Sequence, residues 1–178
     1  MSISVKLAAF DHVVNQLIGW YTEKHGNWHE NDLSRLKITK LLFFVSAVTA
    51  KQDEYGLLNI FDNFSALPYG HVESDIQDRI LESSNYLITK DALSFQDGVQ
   101  TYEKSPELSE NLEAQVDEAV RSLKAKNPDL ISYSAFDLVE LSHRWQSWKT
   151  IFALAKQNGK LSMKIPREMI MSEPKIFI

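Results

Sequence analysis

Lys40, Tyr69, His71 and His143 are the residues of this chain best suited to chemistry, and each stands in an apolar setting. Lys40 interrupts the run Ile38-Thr39-Lys40-Leu41-Leu42-Phe43, where Lys37 (i−3) and Phe44 (i+4) share its helical face. Tyr69 and His71 belong to Ala66-Leu67-Pro68-Tyr69-Gly70-His71-Val72. His143 lies in Leu138-x-x-Leu141-Ser142-His143, shortly before Trp148. An ammonium, a phenol and two imidazoles in one cleft could bind a small polar ligand or support hydrolysis by proton transfer. That chemistry needs partners within hydrogen-bond reach. Spacing alone does not bring them together.

Each residue also has a structural reading. A buried ammonium without a partner is costly, so Lys40 has two options. It packs its stem on the core and sends its head to solvent or carbonyls, or it anchors the Pro68-Tyr69-Gly70 loop or a ligand. Leu67-Pro68-Tyr69-Gly70 satisfies the type I turn rule, Pro second and Gly fourth, which suits a rigid loop with Tyr69 packed under it. The alternative is a recognition point built from the Tyr69 hydroxyl and the His71 imidazole. A half-buried His143 between apolar turns is usually a satisfied core histidine, and the Trp145/Trp148 pair is more often core than ligand cage.

The common catalytic signatures are missing. The six glycines are scattered, and none forms a phosphate-binding loop. There is no G-x-S-x-G elbow and no H-E-x-x-H motif. His25 and His29 stand at i, i+4, but Gly26 and Asn27 between them argue for a loop rather than a chelating helix. With no cysteine in the chain, disulfides, thiolate catalysis and Cys-based zinc sites are excluded. The expectation is a non-enzymatic protein with no catalytic residue, metal or cofactor.

A chain of 178 residues suits a single domain over 1–178, and nine Phe, four Trp and six Tyr supply an ample core. The net charge of −5 argues against a dedicated nucleic-acid binder. The charge is uneven: residues 144–178 carry seven Lys/Arg against Glu168 and Glu173, so about +5 sits there and about −10 elsewhere. That basic tail is either a solvated surface or a charged docking surface. Met1-Ser2-Ile3-Ser4-Val5-Lys6 lacks a signal-peptide pattern, and the longest apolar run, Leu41 to Val45, is far short of a membrane span. A cytoplasmic address without membrane contact is the simple expectation.

The elements follow from periodicity. Phe10, Val13, Val14, Leu17, Ile18 and Tyr21 form one stripe of a helix from about 4 to 24, closed by Gly26. A central helix, apolar nearly all round, runs from about 34 to 51. The stretch Gln52–Val72 reads as an extended connection, and Ser74-Asp75-Ile76-Gln77 as a capping box. Asp97-Gly98 between Leu93-Ser94-Phe95 and Val99-Gln100-Thr101 predicts a small β-hairpin over about 93–102. Ser105-Pro106-Glu107 opens another helix, Ser134 caps the next, and Trp148 to Ala155 marks a last main helix ending at Asn158-Gly159. Residues 160–178 form a basic tail, with Pro166 opening one helical turn. The predicted fold is mainly α: a single-domain bundle of five to seven helices with one hairpin.

Taken together, the three stretches resemble the Panacea domain, also described as the SocA-like antitoxin or phage GepA-type domain. That family carries a Leu-Gln-Lys-Leu-Leu-Tyr-like helix, an Ala-Trp-Pro-Tyr-Gly-Pro-Val-like turn and a Leu-Ser-x-Leu-Ser-His segment ending in Trp. The resemblance covers roughly residues 8–155. By position it makes Lys40, Pro68, Tyr69, Gly70, Val72, His143 and Trp148 family-motif residues. Thr39, Phe43, Leu67 and His71 depart from the pattern, and His71 puts a titratable group where the family has its second proline. The resemblance implies the antitoxin of a bacterial or phage toxin–antitoxin pair, binding its cognate toxin directly. One branch resembles adaptors that deliver the toxin to a protease. Many members carry an added DNA-binding domain; this chain leaves no room for one, so no autonomous nucleic-acid binding is expected.

Overall fold

The apolar stripe that begins at Phe10 folds as α1 (Ile3–His25), with Phe10, Val13, Val14 and Leu17 fully buried. The structure, a computed structural model, describes residues 2–178. Ser2 caps α1 by accepting from the Val5 N–H, and Gly26 ends it at φ 81°, a conformation that glycine adopts without strain. α2 (Arg35–Val48), capped by Ser34, is the central helix, and every residue from Lys37 to Ala47 is buried. It stops short of the expected Lys51, because Lys51 and Glu54 exchange backbone hydrogen bonds that turn the chain away.

The segment expected to be an extended connection is more structured. It holds a 3-10 turn at Gly56–Asn59 and then a hairpin of β1 (Phe64–Leu67) and β2 (Gly70–Glu73), closed by Pro68 and Tyr69. α3 (Ser74–Arg79) follows at once. Its cap is Glu73, whose Oε2 accepts from the Ile76 N–H at 2.8 Å; the expected cap, Ser74, instead faces Ser65 at 3.0 Å. Glu73 Oε1 also meets Lys6, whose ammonium lies 2.8, 2.8 and 2.6 Å from Asp62, Glu73 and Asp75. These carboxylates hold the Lys6 pKa above its usual value despite burial, and α1 is thereby tied to the start of α3.

The second hairpin exists, but not where Asp97-Gly98 placed it. β3 (Tyr86–Ile88) pairs antiparallel with β4 (Leu93–Phe95), in register Tyr86↔Phe95 and Ile88↔Leu93. Tyr86 and Ile88 bury their side chains while Leu87 points out, an alternation that Val99-Gln100-Thr101 cannot offer. Asp97-Gly98 remains a turn with no strand after it.

α4 (Glu110–Lys126) starts later than Ser105-Pro106-Glu107 suggested, because Ser109 is the cap and accepts from the Leu112 N–H. The earlier signal yields only a turn, closed by Leu108 N–H to Ser105 O at 3.0 Å. α5 (Ala135–His143) carries the Ser134/Asp137 capping box, and α6 (Gln146–Gln157) follows it after Trp145. β5 (Met163–Lys164) adds to β1, giving a three-stranded sheet in the order β2-β1-β5. α7 (Arg167–Ser172) closes the count at seven α-helices among the described residues. The tail is not a solvated appendage: Ile165, Ile170 and Phe177 are buried, and Phe177 stands edge-on to Trp145 at 5.7 Å.

α2 lies at the centre, packed against α4, α5 and β2, so its residues meet the first hairpin and the α5–α6 corner together. Among the described residues no helix is long and apolar enough to cross a membrane.

Candidate functional site

Lys40 sits in the middle of α2 with no solvent exposure. Its ammonium donates to the main-chain carbonyl of His71 at 2.5 Å. Burial without a counter-charge pushes its pKa down to about 7. The structure therefore selects the carbonyl-bound and loop-anchoring readings of Lys40 at once.

Two further side chains grip the same turn. Trp148 Nε1 donates to the Leu67 carbonyl at 2.8 Å, and His143 Nε2 donates to the Pro68 carbonyl at 3.1 Å. The donor role fixes the proton of neutral His143 on Nε2. The His143 and Trp148 rings stack at 3.9 Å, so the donors brace one another. The residues of the three motifs thus converge on a single turn, where Lys40, His143 and Trp148 hold three carbonyls between Leu67 and His71.

His71 faces inward, fully buried, and its ring lies flat on Phe43 at 3.6 Å. Its Nδ1 is 2.8 Å from Ser142 Oγ and its Nε2 is 2.9 Å from Ser147 Oγ. Ser142 Oγ also accepts the His71 backbone N–H at 3.1 Å, so one hydroxyl serves both the main chain and the ring of His71. Burial, with Lys40 close by, holds His71 well below its ordinary pKa of 6.5. His71 is thus a hydrogen-bonding plug joining the hairpin to α5 and α6.

The network continues to Glu173, whose Oε2 accepts the Ser147 N–H at 3.1 Å. Burial raises the Glu173 pKa, and its Oε1 finds no hydrogen-bond partner. Gly70 is required on two counts. Its φ is 94°, and a Cβ there would lie 2.4 Å from Ser142 Oγ.

Tyr69 departs from expectation. It does not pack under the turn but projects from it, 58% exposed, with its ring edge-on to Phe136 at 6.3 Å. Phe136 is itself 65% exposed. Val72 is buried, and Pro68 lies at the surface. Lys40, Tyr69, His71 and His143 therefore do not form a cleft of converging functional groups: two grip carbonyls, one is a core plug and one points outward. His25 and His29 do not form a pair either, since α1 ends between them and His29 stacks on Trp28 at 5.1 Å.

Ser147 and Glu173 gave no signal in the sequence, because elements distant along the chain bring them to His71. Phe136 read as one more apolar residue of its helix, and nothing in its spacing separated it from the buried Leu138 and Val139.

The family model described as antitoxin SocA-like, Panacea domain matches residues 38–149. The match begins inside α2 and ends inside α6, so it spans all three grips on the turn and leaves α1 outside. No curated protein and no solved structure matches the chain. With well over half its length matched, and with the motif residues assembled around one turn, the chain belongs to the SocA-like antitoxin family and carries its Panacea domain.

Proposed function

We propose that this protein neutralises a cognate toxin by binding it directly, with the Pro68–Tyr69 turn at the centre of the contact. The observation that carries the reading is the contrast between a buried grip and an exposed tip. Lys40, His143 and Trp148 immobilise the turn, while Tyr69 and Phe136 stand out from it as an aromatic pair. Rigid, exposed aromatics beside a fixed backbone are the anchors on which protein interfaces concentrate their energy. A turn held at three carbonyls loses little freedom on binding, which lowers the cost of association.

Family membership supports the antitoxin role, and the separation of gripping and exposed residues supports neutralisation by masking. The test is co-expression with the product of the neighbouring reading frame, followed by co-purification. Growth arrest by that product alone, relieved by this protein in a stable complex, is the expected result. A harmless neighbour, or one that stays toxic and uncomplexed beside this protein, contradicts the proposal. Toxin that disappears only in cells with an intact protease would identify delivery rather than masking.

A further inference from the structure

A groove of about 340 Å³ opens beside Tyr69, between the start of α2 and the first hairpin. Leu36, Leu67, Pro68 and Val72 give it an apolar lining, to which Arg35 and Lys90 add two cations. Both add positive charge to the lining of the groove, which contains no acidic residue. Among the described residues neither makes an ion pair, and neither side chain makes a hydrogen bond within the protein. Thirteen charged pairs involve other residues. Arg35 Nε is in addition sealed from solvent without an acceptor. That atom is out of a ligand's reach, but the terminal guanidinium nitrogens are not sealed, and the incoming acceptor that suits them is a carboxylate.

We infer that this groove seats an acidic segment of the toxin, one carboxylate side chain meeting Arg35 and Lys90 and an adjoining apolar side chain resting on Leu36, Leu67 and Val72. The inference rests on the antitoxin reading for the identity of the occupant. It does not rest on it for the chemistry of the groove. Charge complementarity selects the partner: a basic segment is repelled by both cations, and an uncharged one leaves them desolvated and unmatched. Continuity with Tyr69, which lines the same groove, makes it a flank of the aromatic contact rather than a separate surface.

The test uses the intact protein and displayed random 12-residue peptides as the probe, with the charge-reversed double variant Arg35→Glu/Lys90→Glu as the comparison. Arg35 is the first residue of α2, where an acid favours the helix dipole, so the variant should melt as the parent does. The expected outcome is a pool enriched in Asp or Glu next to an apolar residue. A synthesised member should bind the parent at least about tenfold more tightly than the variant. A pool without acidic residues, no enriched pool, or equal affinity for both proteins overturns the inference. In parallel, the selected peptide should compete with the neighbouring reading frame's product. If the parent protein fails to neutralise that product, the antitoxin reading falls while the peptide result still decides the groove.

Discussion

The Lys40 ammonium holds the main-chain carbonyl of His71 at 2.5 Å, joining the centre of the core helix to the exit of the hairpin turn. Both groups are fully buried, so neither can fall back on water. Trp148 and His143 grip the same turn from its other side, but near the surface, where a released carbonyl rehydrates. The energetic ranking follows from that difference. Lys40→Ala, which removes the donor and leaves a cavity, should destabilise by about 3 kcal/mol in denaturant titration. Trp148→Phe, which removes one donor and keeps most of the ring, should cost about 1 kcal/mol. Equal losses would contradict the ranking.

Gly70→Ala should be among the most damaging single-methyl changes in the chain. It combines a strained φ of 94° with a Cβ placed 2.4 Å from Ser142 Oγ and 2.9 Å from Ser142 Cβ. A loss of about 2–4 kcal/mol is expected from the backbone strain and the displaced Ser142. Thermal unfolding of the variant reads it. A shift smaller than that of Trp148→Phe would show that the corner relaxes.

His71 should make the protein lose stability as pH falls below about 6.5. Its folded pKa is depressed, so between its ordinary value of 6.5 and that lower value the unfolded chain binds the proton and the folded one does not. Lys40 acts in the same direction at higher pH, with stability decreasing as pH falls from 10.5 through about 7. Glu173, with its raised pKa, acts in the opposite sense above its ordinary 4.5, while His143, also held below 6.5, adds to the His71 effect, so the comparison with a His71 variant isolates it. His71→Gln should be less stable at pH 7.5 yet show a shallower decline from pH 6.5 to 5.5. Parallel pH profiles for the two proteins would mean that His71 is not the group responsible.

The helices were legible because their signals are local. The Phe10–Tyr21 stripe, the Ser134 cap and Gly26 all act within a turn or two of themselves, and the structure keeps each of them. Errors arose where two local signals competed and tertiary burial chose between them. Tyr86 and Ile88 outbid the Asp97-Gly98 turn for Leu93–Phe95, and Ser109 displaced Ser105 as the cap of α4. The motif residues were legible as a set, but their roles were not. Tyr69 and His71 are two apart and would share a face on a regular strand, but Tyr69 lies in the turn outside the paired strands and Gly70 redirects the chain at φ 94°, so His71 turns in while Tyr69 stands out.

Tyr69→Ala and Phe136→Ala separate the exposed tip from its support. Both side chains are mostly exposed, so each variant should keep its stability within about 0.5 kcal/mol of the parent. The carbonyl grips, by contrast, should affect stability first and binding only through it.

Calorimetric titration of the purified neighbouring-frame product into the parent and into Tyr69→Ala is the most direct test of an immobilised turn that presents Tyr69 to a toxin. The predicted result is tight binding by the parent and a loss of about 2 kcal/mol or more, roughly thirtyfold, for a variant that melts at the parent's temperature. Unchanged affinity for Tyr69→Ala would contradict it.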